Sequence, residues 1–255
     1  MKARSRSSWT PTKPFRSRSK PASRGPWTCR RCLAELRRQG SRKNVKGMAR
    51  FGIRARKLYG VAKPKLDALA ARVGKNHRLA LLLWDSGVHD ARILAGIIDE
   101  PKLVTAAQMD RWVRDFDNWD VSDGTCCHLF AHTGLAWRHA LKWSRRSHEF
   151  QKRAGFALMA YLAVHDKKAP DHKFAALLPV IRREAHDRRN FVRKAVNWAL
   201  RQIGKRNRKL HRAAIREAER LRGMDCPTAR WIAADALREL RGEAVGRRLR
   251  RKSAK

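Results

Sequence analysis

Acidic side chains are scarce in this sequence: 22 Asp plus Glu stand against 61 Lys plus Arg, leaving a formal charge of +39. The first acid is Glu35. Such an excess points to a polyanionic partner, and nucleic acid comes first, because spread basic charge tracks phosphates with salt-sensitive, sequence-independent affinity. An anionic membrane is the weaker alternative. Long apolar runs are lacking too, with no window near the ~18 residues that a spanning helix needs, and the chain does not open on a secretory signal. The expectation is a soluble intracellular protein with no membrane partner. It would be cytoplasmic and nucleoid-associated in a bacterium, with organellar targeting left open. Cysteine is limited to five, an odd number that suits no disulfide framework. Cys29 and Cys32 make half of a zinc site, and neither a second CxxC nor a nearby His pair completes it. Reduced thiols and no metal or cofactor are expected. Strand signals are also missing from Glu35 onward, where no sustained period-2 alternation appears.

What is present is helical spacing. The Arg, Lys, Ser and Pro of residues 1–34 carry too little apolar surface to fold alone and read as a disordered basic arm that binds nucleic acid. An acid-free, Arg- and Ser-rich start also resembles an organellar transit peptide, although prolines at 11, 14, 21 and 26 weaken the helix such peptides use. Beyond the arm, Leu66-Leu69-Ala70-Val73 and Ile93-Leu94-Ile97-Ile98 begin amphipathic stripes. Helices are expected near 105–116, 121–132, 136–145, 148–165, 173–186, 189–204, 208–222 and 227–241. Phe150-Gln151-Lys152-Arg153-Ala154 is echoed 41 residues later by Phe191-Val192-Arg193-Lys194-Ala195. A period near 40 with two helices per unit is the mark of HEAT-type repeats. The reading is an all-α, HEAT-like solenoid over 35–242 with a concave basic DNA-binding groove, followed by a basic C-terminal tail at 243–255.

Trp119-Asp120-Val121-Ser122-Asp123 sets an indole and carboxylates inside this cationic chain. On a helix, Trp119 and Asp123 lie one turn apart on one face, a plausible seat for a positively charged, sugar-like transition state. The plainer alternative makes Asp120 a helix N-cap with Asp123 as its capping acid. Trp198 shares a stripe with Phe191 and Ala195, so burial in the core is the plain reading of it. Arg153, flanked by apolar neighbours, is either a solvated arginine or a phosphate clamp.

Four motifs in order resemble the bacterial AlkD-type DNA alkylation repair family of HEAT-repeat DNA glycosylases. They are Met48-Ala49-Arg50-Phe51-Gly52-Ile53, Phe116 through Asp123, Lys152-Arg153-Ala154-Gly155-Phe156-Ala157, and Phe191 through Arg201. The likeness runs from about Met48 to Leu240. It implies a glycosylase that excises cationic N-alkylated purines such as 3-methyladenine and 7-methylguanine from duplex DNA, with the lesion left in the stack. The family's catalytic aspartate falls on Asp123, its sugar-contacting tryptophans on Trp119 and Trp198, and its backbone-contacting arginine on Arg153. Arg50, Phe51, Arg193, Lys194, Arg201 and Lys205 are expected to contact DNA, with alkylated duplex DNA as partner and a monomer as the working form.

The chemistry agrees with that implication. An N-alkylated purine is already a good leaving group, so what remains is to stabilise an oxocarbenium-like sugar and position a water. The rival is a non-catalytic HEAT scaffold that binds DNA or RNA, with Asp123 a helix cap only, and a protein-interaction platform stands third.

Overall fold

The structure is a computed structural model that describes residues 25–253. Among the described residues every regular element is helical. In chain order they are α1 (Cys29–Gln39), α2 (Arg42–Arg50), α3 (Lys63–Val73), α4 (His77–Asp85), α5 (His89–Ile98), α6 (Ala106–Arg114), α7 (Trp119–His128), α8 (Ala136–Ser144) and α9 (Glu149–His165). They continue with α10 (Asp171–Ala175), α11 (Leu178–Glu184), α12 (Asn190–Gly204), α13 (Arg208–Arg222), α14 (Pro227–Leu240) and α15 (Glu243–Ser253). Many starts are written locally: Thr28, Ser41, Asn76, Thr105 and Asn207 each take a backbone N–H of the first turn on their side-chain oxygens. None of these helices is long and apolar enough to cross a membrane.

Two layers follow from who touches whom. Helices α3, α5, α7, α9, α12 and α14 form a row in which each packs on the next. Against that row lie α4 on α5, α8 on α9, α11 on α12 and α13 on α14. This is a stack of helix pairs sharing one continuous core, an all-α HEAT-like solenoid. The 41-residue echo is one step of the row, since Phe150 and Phe191 bring their rings to 5.3 Å across α9 and α12. In the outer layer Trp84 stacks on Trp112 at 3.9 Å, and Phe130 links Trp112 to Trp143. The indole N–H groups of Trp84 and Trp143 donate to Asp115 and Asp110, which lets these rings be fully buried.

Several boundaries differ from the sequence reading. Residues 29–34, assigned to the basic arm, are helical, because Cys29, Cys32, Leu33 and Leu36 make a stripe that packs toward α4 and α5. Residues 1–24 of that arm lie outside the described residues. The basic tail at 243–255 is helical as far as Ser253, with Val245 and Leu249 buried. The helix expected over 173–186 is broken into α10 and α11, where Pro179 sits in the first turn of the second piece without an amide to continue the first. The helix expected over 121–132 starts earlier, at Trp119, and ends at His128 before a short 3-10 turn over Phe130–His132.

Candidate active site

Helix α7 carries the central residues, and its first turn decides their geometry. Asn118 is extended, with φ −155 and ψ 166, and its side-chain oxygen accepts from the amides of Asp120 at 3.0 Å and Val121 at 3.1 Å. The cap is therefore Asn118 and not Asp120. An Asn in the extended region satisfies two orphan amides that Asp120, already helical, does not reach. Asp123 is then free of capping duty and points to the neighbouring inner helix.

There it meets Arg153. The guanidinium grips both carboxylate oxygens of Asp123, Nε to Oδ1 at 2.8 Å and Nη2 to Oδ2 at 2.5 Å. Its remaining arm, Nη1, donates to the backbone oxygen of Phe191 at 2.6 Å. One side chain thereby ties α7, α9 and α12 together, with 9% of its surface exposed against 16% for Asp123. Arg153 is no solvated arginine. Its bond to Asp123 belongs to neither sequence reading.

Trp119 is half-buried, and its indole N–H donates to the backbone oxygen of Phe51 at 2.9 Å. That bond sets the loop after α2 over the site and turns the Phe51 ring out, 68% exposed, beside exposed Arg50. Gly52 makes the turn possible at φ +80, and a Cβ there would stand 2.8 Å from the Phe191 ring. The far end of the loop is held by buried Asp90, which accepts from the amides of Tyr59 and Val61, each at 2.7 Å. Trp198 is half-buried and packs edge-on against Tyr161 at 4.9 Å. Burial pushes the Tyr161 hydroxyl far above its ordinary proton affinity, and the charge of Asp123 adds to this.

The expected DNA contacts divide into two sets. Lys194 is exposed, and partial burial and then the charges of Arg193 and Arg153 lower its pKa, which marks one cluster of cations. Arg193 in that cluster stacks over Trp231 at 4.7 Å. Arg201 and Lys205 are placed differently: both pair with Glu239 of α14, Lys205 at 2.5 Å, and Arg201 also reaches Asp235 at 3.7 Å. They bridge α12 to α14 instead of presenting open charge. Sequence reasoning missed Tyr161 and the carbonyl of Phe191, which no local pattern marks. It also missed Asn118, although an Asn just before a helical run is a cap signal. Among the described residues no group of three or more His, Cys, Asp or Glu side chains could hold a metal ion.

A stacked helical-repeat protein with a carboxylate, an arginine and two indoles gathered on its inner row is the class these observations define. The family model described as DNA alkylation repair enzyme matches residues 32–240, and the chain belongs to that family. It is also similar to a solved structure described as a new family of proteins related to the HEAT-like repeat DNA glycosylases with affinity for branched DNA structures. Identity is 23% over 76% of this chain and 83% of that one, with a TM-score of 0.69. Among curated proteins, none matches the chain.

Proposed function

We propose that the protein is a DNA glycosylase that hydrolyses the N-glycosidic bond of cationic N-alkylated purines in duplex DNA. The observation that carries this is the two-oxygen grip of Arg153 on α9 upon Asp123, which stands one turn from Trp119 on α7, with Trp198 on α12 packed against Tyr161 of α9. A purine alkylated on a ring nitrogen leaves without protonation, so the protein has to stabilise the sugar cation and supply water. The indoles offer their faces to that cation, at about 0.5–2 kcal/mol each.

The ion pair limits what Asp123 adds. A lone carboxylate about 4 Å from a cation at an effective dielectric near 20 contributes roughly 4 kcal/mol. A guanidinium about 3 Å farther away takes back more than half, leaving about 2 kcal/mol, or some thirtyfold in rate. Such a contribution suits a substrate whose bond is already weak.

A second reading has a specific observation in its favour. Both oxygens of Asp123 are engaged, as in a structural brace, and the similar solved structure belongs to a family described by its affinity for branched DNA. In that reading the chain binds DNA without cutting a bond. Free-base release from methylated duplex DNA by the wild type and Asp123→Asn, with binding at matched salt, separates the two. Release lost in the variant with binding kept establishes the glycosylase. Equal binding to methylated and plain duplex, tighter binding to a four-way junction and no release from either protein establish the binder.

A further inference from the structure

The hydrolysis needs somewhere for the proton of the attacking water to go, and Asp123 is poorly placed to take it. Both its oxygens are gripped by Arg153. One turn earlier on α7 stands a second carboxylate, Asp120, 37% exposed and, among the described residues, without an arginine or lysine bonded to it. The buried face of Asp120 looks at His89, the first residue of α5, whose Nε2 lies 3.5 Å from Asp120 Oδ2. His89 is 3% exposed, and among the described residues neither ring nitrogen finds a hydrogen-bond partner. An imidazole buried with both nitrogens unpaired costs stability, and a carboxylate just beyond bonding distance is the group it can serve.

We infer that Asp120, positioned by His89, is the base that accepts the proton of the nucleophilic water, while Asp123 with Arg153 holds charge over the sugar. This rests on the glycosylase reading. The balance is simple. The C1′–N bond breaks with its electron pair on the purine, which neutralises the cationic base. The water oxygen gives an electron pair to C1′, and its proton passes to a free oxygen of Asp120, leaving an abasic sugar and a protonated carboxyl. The helix spacing supports the division, since residues three apart share a face. Asp123 leans to α9 and Asp120 to α5.

The surroundings of Asp120 favour this role. Burial raises its pKa, and the charges of Asp123 and Asp90 add to that. His89 on α5 and Lys63 at the start of α3 pull the other way, and the net direction is upward. On α9, Arg153 is already paired with Asp123. A carboxylate that holds its proton more tightly than an ordinary aspartate is a better base, as long as the medium keeps it ionised.

The test is single-turnover release of 7-methylguanine from methylated duplex DNA by the full chain, measured between about pH 5 and 8 for wild type, Asp120→Asn and His89→Gln. Rates are corrected for spontaneous loss. The expected result is a wild-type rate that falls on the acid side as Asp120 takes a proton. Asp120→Asn should be roughly a hundredfold slower, at the low end of what a positioned base supplies. It should be flat over the same range, partly rescued by added formate, and bind DNA as wild type does. His89→Gln should move the acid limb without removing it. Wild-type release matched within twofold by Asp120→Asn, with the same pH dependence, overturns this inference and leaves the glycosylase standing. No release by the wild type overturns both.

Discussion

Arg153 is the residue on which the site's construction turns. Removing it strands the Asp123 carboxylate and the Phe191 carbonyl together. Loss of one partner from a largely buried ion pair costs roughly 3–5 kcal/mol. At about 2–4 °C per kcal/mol for a chain of this size, Arg153→Ala should melt at least several degrees lower by calorimetry. Arg153→Lys should recover only part, because a point charge does not span two oxygens and a carbonyl at once. A melting temperature unchanged in the alanine variant would show that the brace holds nothing.

His128 gives the molecule an acid sensitivity. It ends α7, where the helix dipole favours a charged imidazole, yet burial and the charge of Lys63 win, and its pKa falls from 6.5 to about 4, with Asp67 opposing. The folded protein therefore binds that proton only near pH 4, while the unfolded chain binds it near 6.5. Between those values the unfolded state holds more protons, so stability drops as pH falls. The full drop is roughly 3 kcal/mol. Urea melts at about pH 7 and 4.5 should show a smaller loss for His128→Gln than for wild type. An identical loss would assign the sensitivity elsewhere.

At the scale of elements, close packing of α8 against α9 depends on Gly155. A Cβ there would stand 2.4 Å from the Ser144 amide nitrogen and 2.9 Å from the Ala140 oxygen, which are backbone atoms with no side chain to swing away. Gly155→Ala should cost about 1–3 kcal/mol through forced separation of the helices. The readout is the urea midpoint, and a midpoint at or above wild type would contradict it. The same element shows what the sequence made legible. A helix was expected over 148–165, and the echo of Phe150 at Phe191 placed its neighbour in the row. Trp119 and Asp123 were legible as one face of one helix. The bond from Arg153 to Asp123 was not, because 30 residues separate them and only the stacking of α7 on α9 fixes their distance. Helix α1 was hidden for another reason: five of its eleven residues are Arg or Gln, and two of the residues facing inward are cysteines, which read first as half of a zinc site.

At the scale of the whole molecule, a charge of +39 dominates approach to DNA. Affinity should fall steeply with salt, by roughly a thousandfold or more between 50 and 200 mM if about six to ten phosphates are contacted. Methylated and plain duplex should show the same slope, since phosphates and not the lesion set it, and a slope near zero in a fluorescence titration would remove phosphate tracking from the account. Light scattering should return the mass of one chain.

The row of inner helices also sets the order in which the molecule lets go of itself. Each pair in such a stack leans only on its neighbours, so opening works from the outermost described helices toward the middle. Helix α9, held by α6, α7, α8 and α12, is the last to loosen. Its amides should exchange with deuterium most slowly of all, and Arg153 rides on it, so the candidate site would outlive the loosening of the outer helix pairs.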